Sequence, residues 1–319
     1  MNQHSPIKST GSLLERAAEI YDFAEVLRGR AAPAAEPVAE DESGNLPPQP
    51  VRQETGDSGF RRNDGGLLRR NDEDGPVQPV DREALQQAGF VLPDGPVTGI
   101  SEEFRIIKRQ LLLAATGGKH GEKIPHGERI LICSAHAGEG KTFCAVNLAL
   151  SLAAEKDVEV LLVDADFAKP SILSTLGLAG GPGLMDALAD PEVDVQDCVI
   201  RTDIPKLSVL PAGRQTNADT EYLASAHTES VLDALTAAHP SRIVIFDSPP
   251  ILAASPAAAL AGHVGQAVLV VRADETTENA LRDAVGLLQG CDNIQLLLNG
   301  VKFSPGGRRF GTYYGQNGQ

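Results

Sequence analysis

The run Ala135-His136-Ala137-Gly138-Glu139-Gly140-Lys141-Thr142 stands between two apolar stretches, Ile130-Leu131-Ile132-Cys133-Ser134 before it and Phe143–Ala154 after it. Residues of these types in this order form a phosphate-binding loop with Ala in place of the first Gly. Successive backbone N–H groups and a helix N-terminus surround the phosphates, Lys141 reaches the β/γ oxygens, and the Thr142 hydroxyl ligates Mg²⁺. Two further apolar runs end in carboxylates. Val160-Leu161-Leu162-Val163 delivers Asp164-Ala165-Asp166, and Ile243-Val244-Ile245-Phe246 delivers Asp247-Ser248-Pro249-Pro250, the form of a Walker B strand. A carboxylate at the end of a parallel strand lies at the rim that carries the loop, where it can hold Mg²⁺ directly or through water. Taken singly, each carboxylate has the alternative of a helix cap or a loop. Asn299 ends another apolar run and fits either a contact to the adenine base or a turn.

These residues need a scaffold that brings several strand ends to one rim. From Ile100 onward the apolar pattern alternates strand and helix, which predicts an α/β domain with an open, mostly parallel sheet and helices on both faces, a P-loop NTPase fold. The predicted strands are Arg129–Ser134, Val158–Val163, Lys206–Leu210, Arg242–Phe246, Gln266–Val271 and Ile294–Leu298, several of them continuous apolar runs that suit strands covered on both faces. Helices are predicted at Ser101–Ala115, Lys141–Ala154, Gly183–Ala189, Asp219–Ala238, Pro256–Gly262 and Thr277–Gln289.

Composition separates this domain from what precedes it. Residues 31–100 hold 9 Pro and 9 Gly with few apolar side chains, too little to offset the entropy of ordering. The expected organisation is an amphipathic helix in residues 1–30, opened by a Ser12-x-x-Glu15 capping box, a flexible linker at 31–80, the catalytic domain at 81–305 and a flexible tail at 306–319. The short polar echo of Phe60–Gly66 in Arg69–Asp72 is too small for a repeat unit. The apolar face of the N-terminal helix must dock on its own domain, on a partner or on a membrane surface.

The 319-residue chain carries 28 Lys+Arg against 43 Asp+Glu, a net charge of -15. That balance excludes a nucleic-acid binder of the usual kind, since phosphate backbones are held by clustered Lys and Arg. The four Cys lack any Cys-x-x-Cys pair and read as small buried hydrophobes. No apolar stretch approaches the roughly 20 residues of a membrane span, so a cytoplasmic location is expected.

Together the residues resemble the bacterial tyrosine kinases that regulate capsule and exopolysaccharide synthesis, whose P-loop fold is related to the partition and cell-division-site ATPases. The resemblance covers roughly Pro93 to the C-terminus. It rests on Gly-Glu-Gly-Lys-Thr at 138–142, Asp-x-Asp at 164–166, Asp-x-Pro-Pro at 247–250, the run Ser101–Arg109 and a tail bearing Tyr313-Tyr314, two of only four tyrosines. The N-terminal helix, the linker and the Glu-Glu-Phe-Arg-Ile-Ile-Lys-Arg run are most similar to the tyrosine autokinases encoded with exosortase loci.

The resemblance implies ATP and Mg²⁺ as cofactors and phosphoryl transfer positioned by Lys141. It makes Asp164, near Mg²⁺, the acceptor of the tyrosine hydroxyl proton, Asp247 the Walker B metal partner and Asp166 a supporting residue. Tyr313 and Tyr314 become the phosphate acceptors, presented in trans to a neighbouring subunit. Glu102, Arg105 and Lys108 match a Glu-x-x-Arg-x-x-Arg oligomerisation motif, with Lys in the last position, and so imply a homo-oligomeric ring. Three-residue spacing lines them along one side of a helix, where a solvated face is the alternative reading. The implied partners are a membrane polysaccharide co-polymerase or activator and a tyrosine phosphatase, with the chain held peripherally at the inner face of the plasma membrane.

The sequence departs from the family at Ala168, where Arg is usual and Lys169 stands next. Partition ATPases instead carry Lys at the position of His136. A second reading keeps the nucleotide but not the kinase: a P-loop ATPase of the partition or cell-division-site type, acting as a nucleotide-switched scaffold.

Overall fold

The computed structural model describes residues 76–118, 122–237 and 239–301. The N-terminal helix, most of the linker, the polar echo, and Tyr313 and Tyr314 all lie outside the described residues. In chain order the elements are β1 (Val77–Gln78), α1 (Arg82–Gln87), α2 (Gly99–Thr116), β2 (Arg129–Ser134), α3 (Lys141–Ala153), β3 (Glu159–Asp164), α4 (Ile172–Leu176) and α5 (Leu184–Ala189). A 3₁₀ turn (Val195–Cys198) follows, then β4 (Ile200–Thr202), β5 (Leu207–Leu210), α6 (Asp219–Leu223), α7 (Ala226–Ala237), β6 (Arg242–Asp247), α8 (Pro256–Ala261), β7 (Gln266–Arg272), α9 (Glu278–Leu287) and β8 (Ile294–Asn299).

The eight strands form one sheet in the order β1-β4-β5-β3-β6-β2-β7-β8. All pairs are parallel except β4 with β5, so β1 and β4 run against the other six. Strands β2 and β6 are buried at every position, which is why their sequences read as continuous apolar runs instead of alternating ones. Helix α3 packs into this core with ten buried residues from Cys144 to Ala153. All four Cys are buried thiols, and burial pushes Cys133 and Cys144 up to about 12, so they act as packing groups.

Three expectations change. The linker does not extend to residue 80: Val77 and Gln78 pair with Arg201 and Thr202 of β4, and Val80 is buried. Its backbone N–H donates to Asp203 Oδ1 at 2.9 Å, while Arg82 pairs with the same carboxylate at 2.6 Å. The single helix expected over residues 219–238 is two, α6 and α7, because the Thr228 hydroxyl donates to the Tyr222 carbonyl at 2.7 Å and competes with a continuous helical ladder.

The third change concerns the charged run on α2. This helix begins at a Thr98/Ser101 capping box and stops at Gly117 in the left-handed conformation. Its buried stripe is Phe104, Lys108, Leu111 and Ala115, the spacing of one helical face. Lys108 therefore points inward, away from Arg105. Its ammonium pairs with Glu155 at 2.7 Å and donates to the Ser151 carbonyl at 2.7 Å, tying α2 to the end of α3. Glu102 and Arg105 pair with each other within the chain. The three residues do not share an outer face.

Removing the buried ammonium strands its partners, so Lys108→Ala is expected to cost roughly 1–3 kcal/mol in urea unfolding. Arg105→Ala, at an exposed pair, stays within about 0.5 kcal/mol. Equal effects would contradict the inward placement.

Candidate active site at the phosphate loop

Three central strands set the site by register. Asp164 at the end of β3 lies opposite Asp247 at the end of β6, and Asp247 lies opposite Ile132 of β2, three residues before the loop begins at Ala135. Hydrogen bonds beyond the strands hold the three loops together. Ala165 donates its N–H to the Asp247 carbonyl at 2.8 Å and Ile251 to the Ser134 carbonyl at 2.9 Å. The Ser248 hydroxyl donates to the Ile132 carbonyl at 3.0 Å. This is the carboxyl rim of a parallel sheet at a switch in strand order, where ligands of such sheets bind.

The loop itself depends on two glycines. Gly138 and Gly140 have φ of 84° and 95°, a region that side-chain-bearing residues rarely enter. At Gly140 a Cβ would also lie 2.2 Å from Asn299 Nδ2. Ala135 is buried beneath the loop, whereas His136, Ala137 and Gly138 are exposed around its mouth. Helix α3 starts directly at Lys141, with no acidic residue in its first turn, so no carboxylate of the helix itself offsets its N-terminal partial charge at the mouth.

Lys141 and three carboxylates converge here, each in a different state. The Lys141 ammonium lies 3.2 Å from Asp166 Oδ2, and Asp166 Oδ1 accepts the Lys169 N–H at 3.1 Å. Asp164 is spent largely on backbone: Oδ2 accepts from Ser171 and Ile172 at 2.8 and 2.9 Å, capping α4, and Oδ1 accepts only the long 3.3 Å bond from Asp166. Burial raises its pKa against the pull of those three amides. Asp247 is fully buried and neither of its oxygens has a hydrogen-bond partner among the described residues. Burial pushes its carboxyl up to about 7, although nearby Lys141 and Thr142 draw it down. A partnerless buried carboxylate is costly, and a cation beside the Thr142 hydroxyl removes that cost.

Two further polar residues stand at this rim. Asn299 makes the turn that its place at a strand end suits: its Oδ1 accepts from the Gly300 N–H at 2.9 Å, and its Nδ2 donates to the Glu139 carbonyl at 2.9 Å, so it braces the phosphate loop. Lys169 is exposed at the rim and serves Asp166 through its backbone. Sequence reading missed Thr276, whose hydroxyl donates to the Glu139 carboxylate. A lone loop Thr far along the chain gives no signal of such a contact.

A phosphate loop and acidic strand ends on an open parallel sheet define a P-loop protein, and the AAA domain family model matches residues 127–299, just over half of the chain. The chain is 29% identical over 225 residues to tyrosine-protein kinase YwqD of Bacillus subtilis, covering 70% of this chain and 90% of that protein. It is 31% identical over 179 residues to tyrosine-protein kinase CpsD of Streptococcus agalactiae, covering 55% and 76%. Among solved structures, the chimerical protein CapA2B2 superposes with a TM-score of 0.55 at 25% identity, covering 69% of this chain and 93% of that one. The chain belongs to the bacterial tyrosine kinase family.

The raised carboxyl at Asp247 has a consequence without metal or nucleotide. Its folded pKa of about 7 exceeds the ordinary 3.8, so its contribution favours the fold below pH 3.8 and is lost as pH rises through 7. In chelator, Asp247→Asn is expected to unfold several degrees above wild type at pH 8 and near it at pH 4. Equal melting temperatures at pH 8 would contradict this.

Proposed function

We propose that the chain is an ATP-dependent protein tyrosine autokinase that phosphorylates Tyr313 and Tyr314 in trans and regulates exopolysaccharide synthesis or export. The carrying observation is the pair of partnerless oxygens on buried Asp247, set beside Lys141 and Thr142 at the mouth of the phosphate loop. Asp247 and Thr142 would hold Mg²⁺, with Asp164 nearby through Oδ1. When bound, the ion neutralises charge on the phosphate oxygens.

The chain's own residues supply the rest. The exposed backbone around Gly138 and the start of α3 bind and orient the phosphates. Lys141, already held in place by Asp166, presents a fixed cation to the transferring group. Asp164 Oδ1 carries only one long hydrogen bond, and burial makes the carboxyl a better base than an exposed one, which suits it to take the tyrosine proton. A tyrosine hydroxyl of pKa about 10 is neutral at pH 7 and needs that help.

The domain division, the peripheral membrane placement through a polysaccharide co-polymerase or activator, a partner phosphatase and a ring assembly belong to the same proposal. No described helix is long and apolar enough to cross a membrane, which suits a partner-borne location. Because Lys108 is buried, any contact between subunits through α2 would use Glu102 and Arg105 without it. The exosortase-locus subgroup rests on the N-terminal segment and the linker together with the charged run at 102–109 of α2.

An anti-phosphotyrosine time course with Mg-ATP tests the reading. Lys141→Met and Asp164→Asn are expected to lower the rate at least ~100-fold, and Tyr313→Phe/Tyr314→Phe to abolish the signal while nucleotide binding persists. A wild-type chain that binds Mg-ATP yet gains no phosphotyrosine would support the scaffold reading instead, and a double-Phe chain that labels like wild type would place the acceptor outside the tail.

A further inference from the structure

The phosphate loop buries a carboxylate of its own, and a residue from a distant turn determines where that carboxylate points. Glu139, at the loop's apex, is only 4% exposed. Its side chain folds back so that Oε2 accepts the His136 N–H at 2.9 Å, closing the loop on itself. Oε1 accepts the Thr276 hydroxyl. Thr276 has no freedom to do otherwise, since its Oγ1 also accepts the Arg272 N–H at 2.9 Å and so must turn its hydrogen toward Glu139. The turn that carries it is fixed at the end of β7: Thr276 N–H donates to the Arg272 carbonyl at 3.0 Å, and Ala273 N–H to the Asn299 carbonyl at 2.8 Å. Asn299 closes the opposite side through its bond to the Glu139 carbonyl.

A buried carboxylate in a loop that receives anions is electrostatically adverse unless its direction is controlled. Left without the Thr276 donor, Oε1 would lose its partner, and the carboxylate would release His136 and turn toward solvent or toward the phosphates. We infer that Thr276 is a positioning residue for the phosphate loop, acting through Glu139 to set the loop's shape and keep its negative charge away from bound phosphate. The inference rests on the nucleotide reading of the site and extends it to a residue outside the loop. It places part of the determinant of nucleotide affinity in the β7–α9 turn.

The test is a double-mutant cycle on the full chain, read as Mg-ADP affinity by fluorescent-nucleotide displacement and as KM and kcat for Mg-ATP. Thr276→Val is expected to weaken Mg-ADP binding roughly tenfold and to raise KM with kcat held within about twofold, the mark of lost uniform binding. Thr276→Ser, which keeps the hydroxyl, restores affinity to within about twofold of wild type. In a Glu139→Ala background, which has no carboxylate to position, Thr276→Val has no further effect. If Thr276 only shapes its own turn, the Val substitution weakens binding equally in both backgrounds, and that additivity overturns the inference. Wild-type affinity in Thr276→Val overturns it too. A wild-type chain that binds no Mg-ADP fails at the nucleotide reading itself, a result distinct from either and fatal to both.

Discussion

A single register line across three parallel strands underlies the site. With Asp164 opposite Asp247 and Asp247 opposite Ile132, the ends of β3, β6 and β2 deliver two carboxylates and the phosphate loop to one edge. The strands end where they do because their apolar runs are consumed by burial on both faces, and the first residues past the core are polar. A slip of one residue would turn Asp247 to the other face of the sheet. The core thus sets the chemistry's geometry, and in return holds a carboxylate with no hydrogen-bond partner among the described residues.

That tension organises the surroundings. Of the acidic groups at the rim, Asp166 is neutralised by Lys141, Asp164 by backbone amides and Glu139 by Thr276 and the His136 N–H. Among the described residues Asp247 alone of these is left open, next to the one side-chain hydroxyl of the loop. A network in which every charge but one is satisfied is preorganised for the missing cation, with little rearrangement needed on binding.

Most of the central sheet was legible in sequence because parallel strands buried on both faces carry continuous apolar runs; the six strands expected from those runs are found, each within a residue at its ends. The short strands β1 and β4 at one side of the sheet were not, since two or three residues such as Val77-Gln78 carry no periodic signal and Pro76 and Pro79 give the segment a linker's composition. The loop and strand-end carboxylates were legible as types and spacing. Their division of labour was not, because it depends on which oxygens the backbone occupies. Lys108 was misplaced for a related reason: charge suggests an outward face, while the 104/108/111/115 spacing puts it inward, where a long side chain can reach Glu155. Asn299 and Thr276 act through contacts with Glu139 more than 130 residues away in the chain, and nothing local marks them.

The central claim is that the site built around Lys141 transfers phosphate to the tail of another copy. Mixing two chains of different mass tests it most directly: Lys141→Met with an intact tail, and Tyr313→Phe/Tyr314→Phe with an intact loop. After incubation with Mg-ATP, mass spectrometry of the tail peptides should find phosphate on Tyr313 or Tyr314 of the Lys141→Met chain, and only when its partner is present. Nucleotide bound by the partner with no phosphate on either tyrosine would contradict the account.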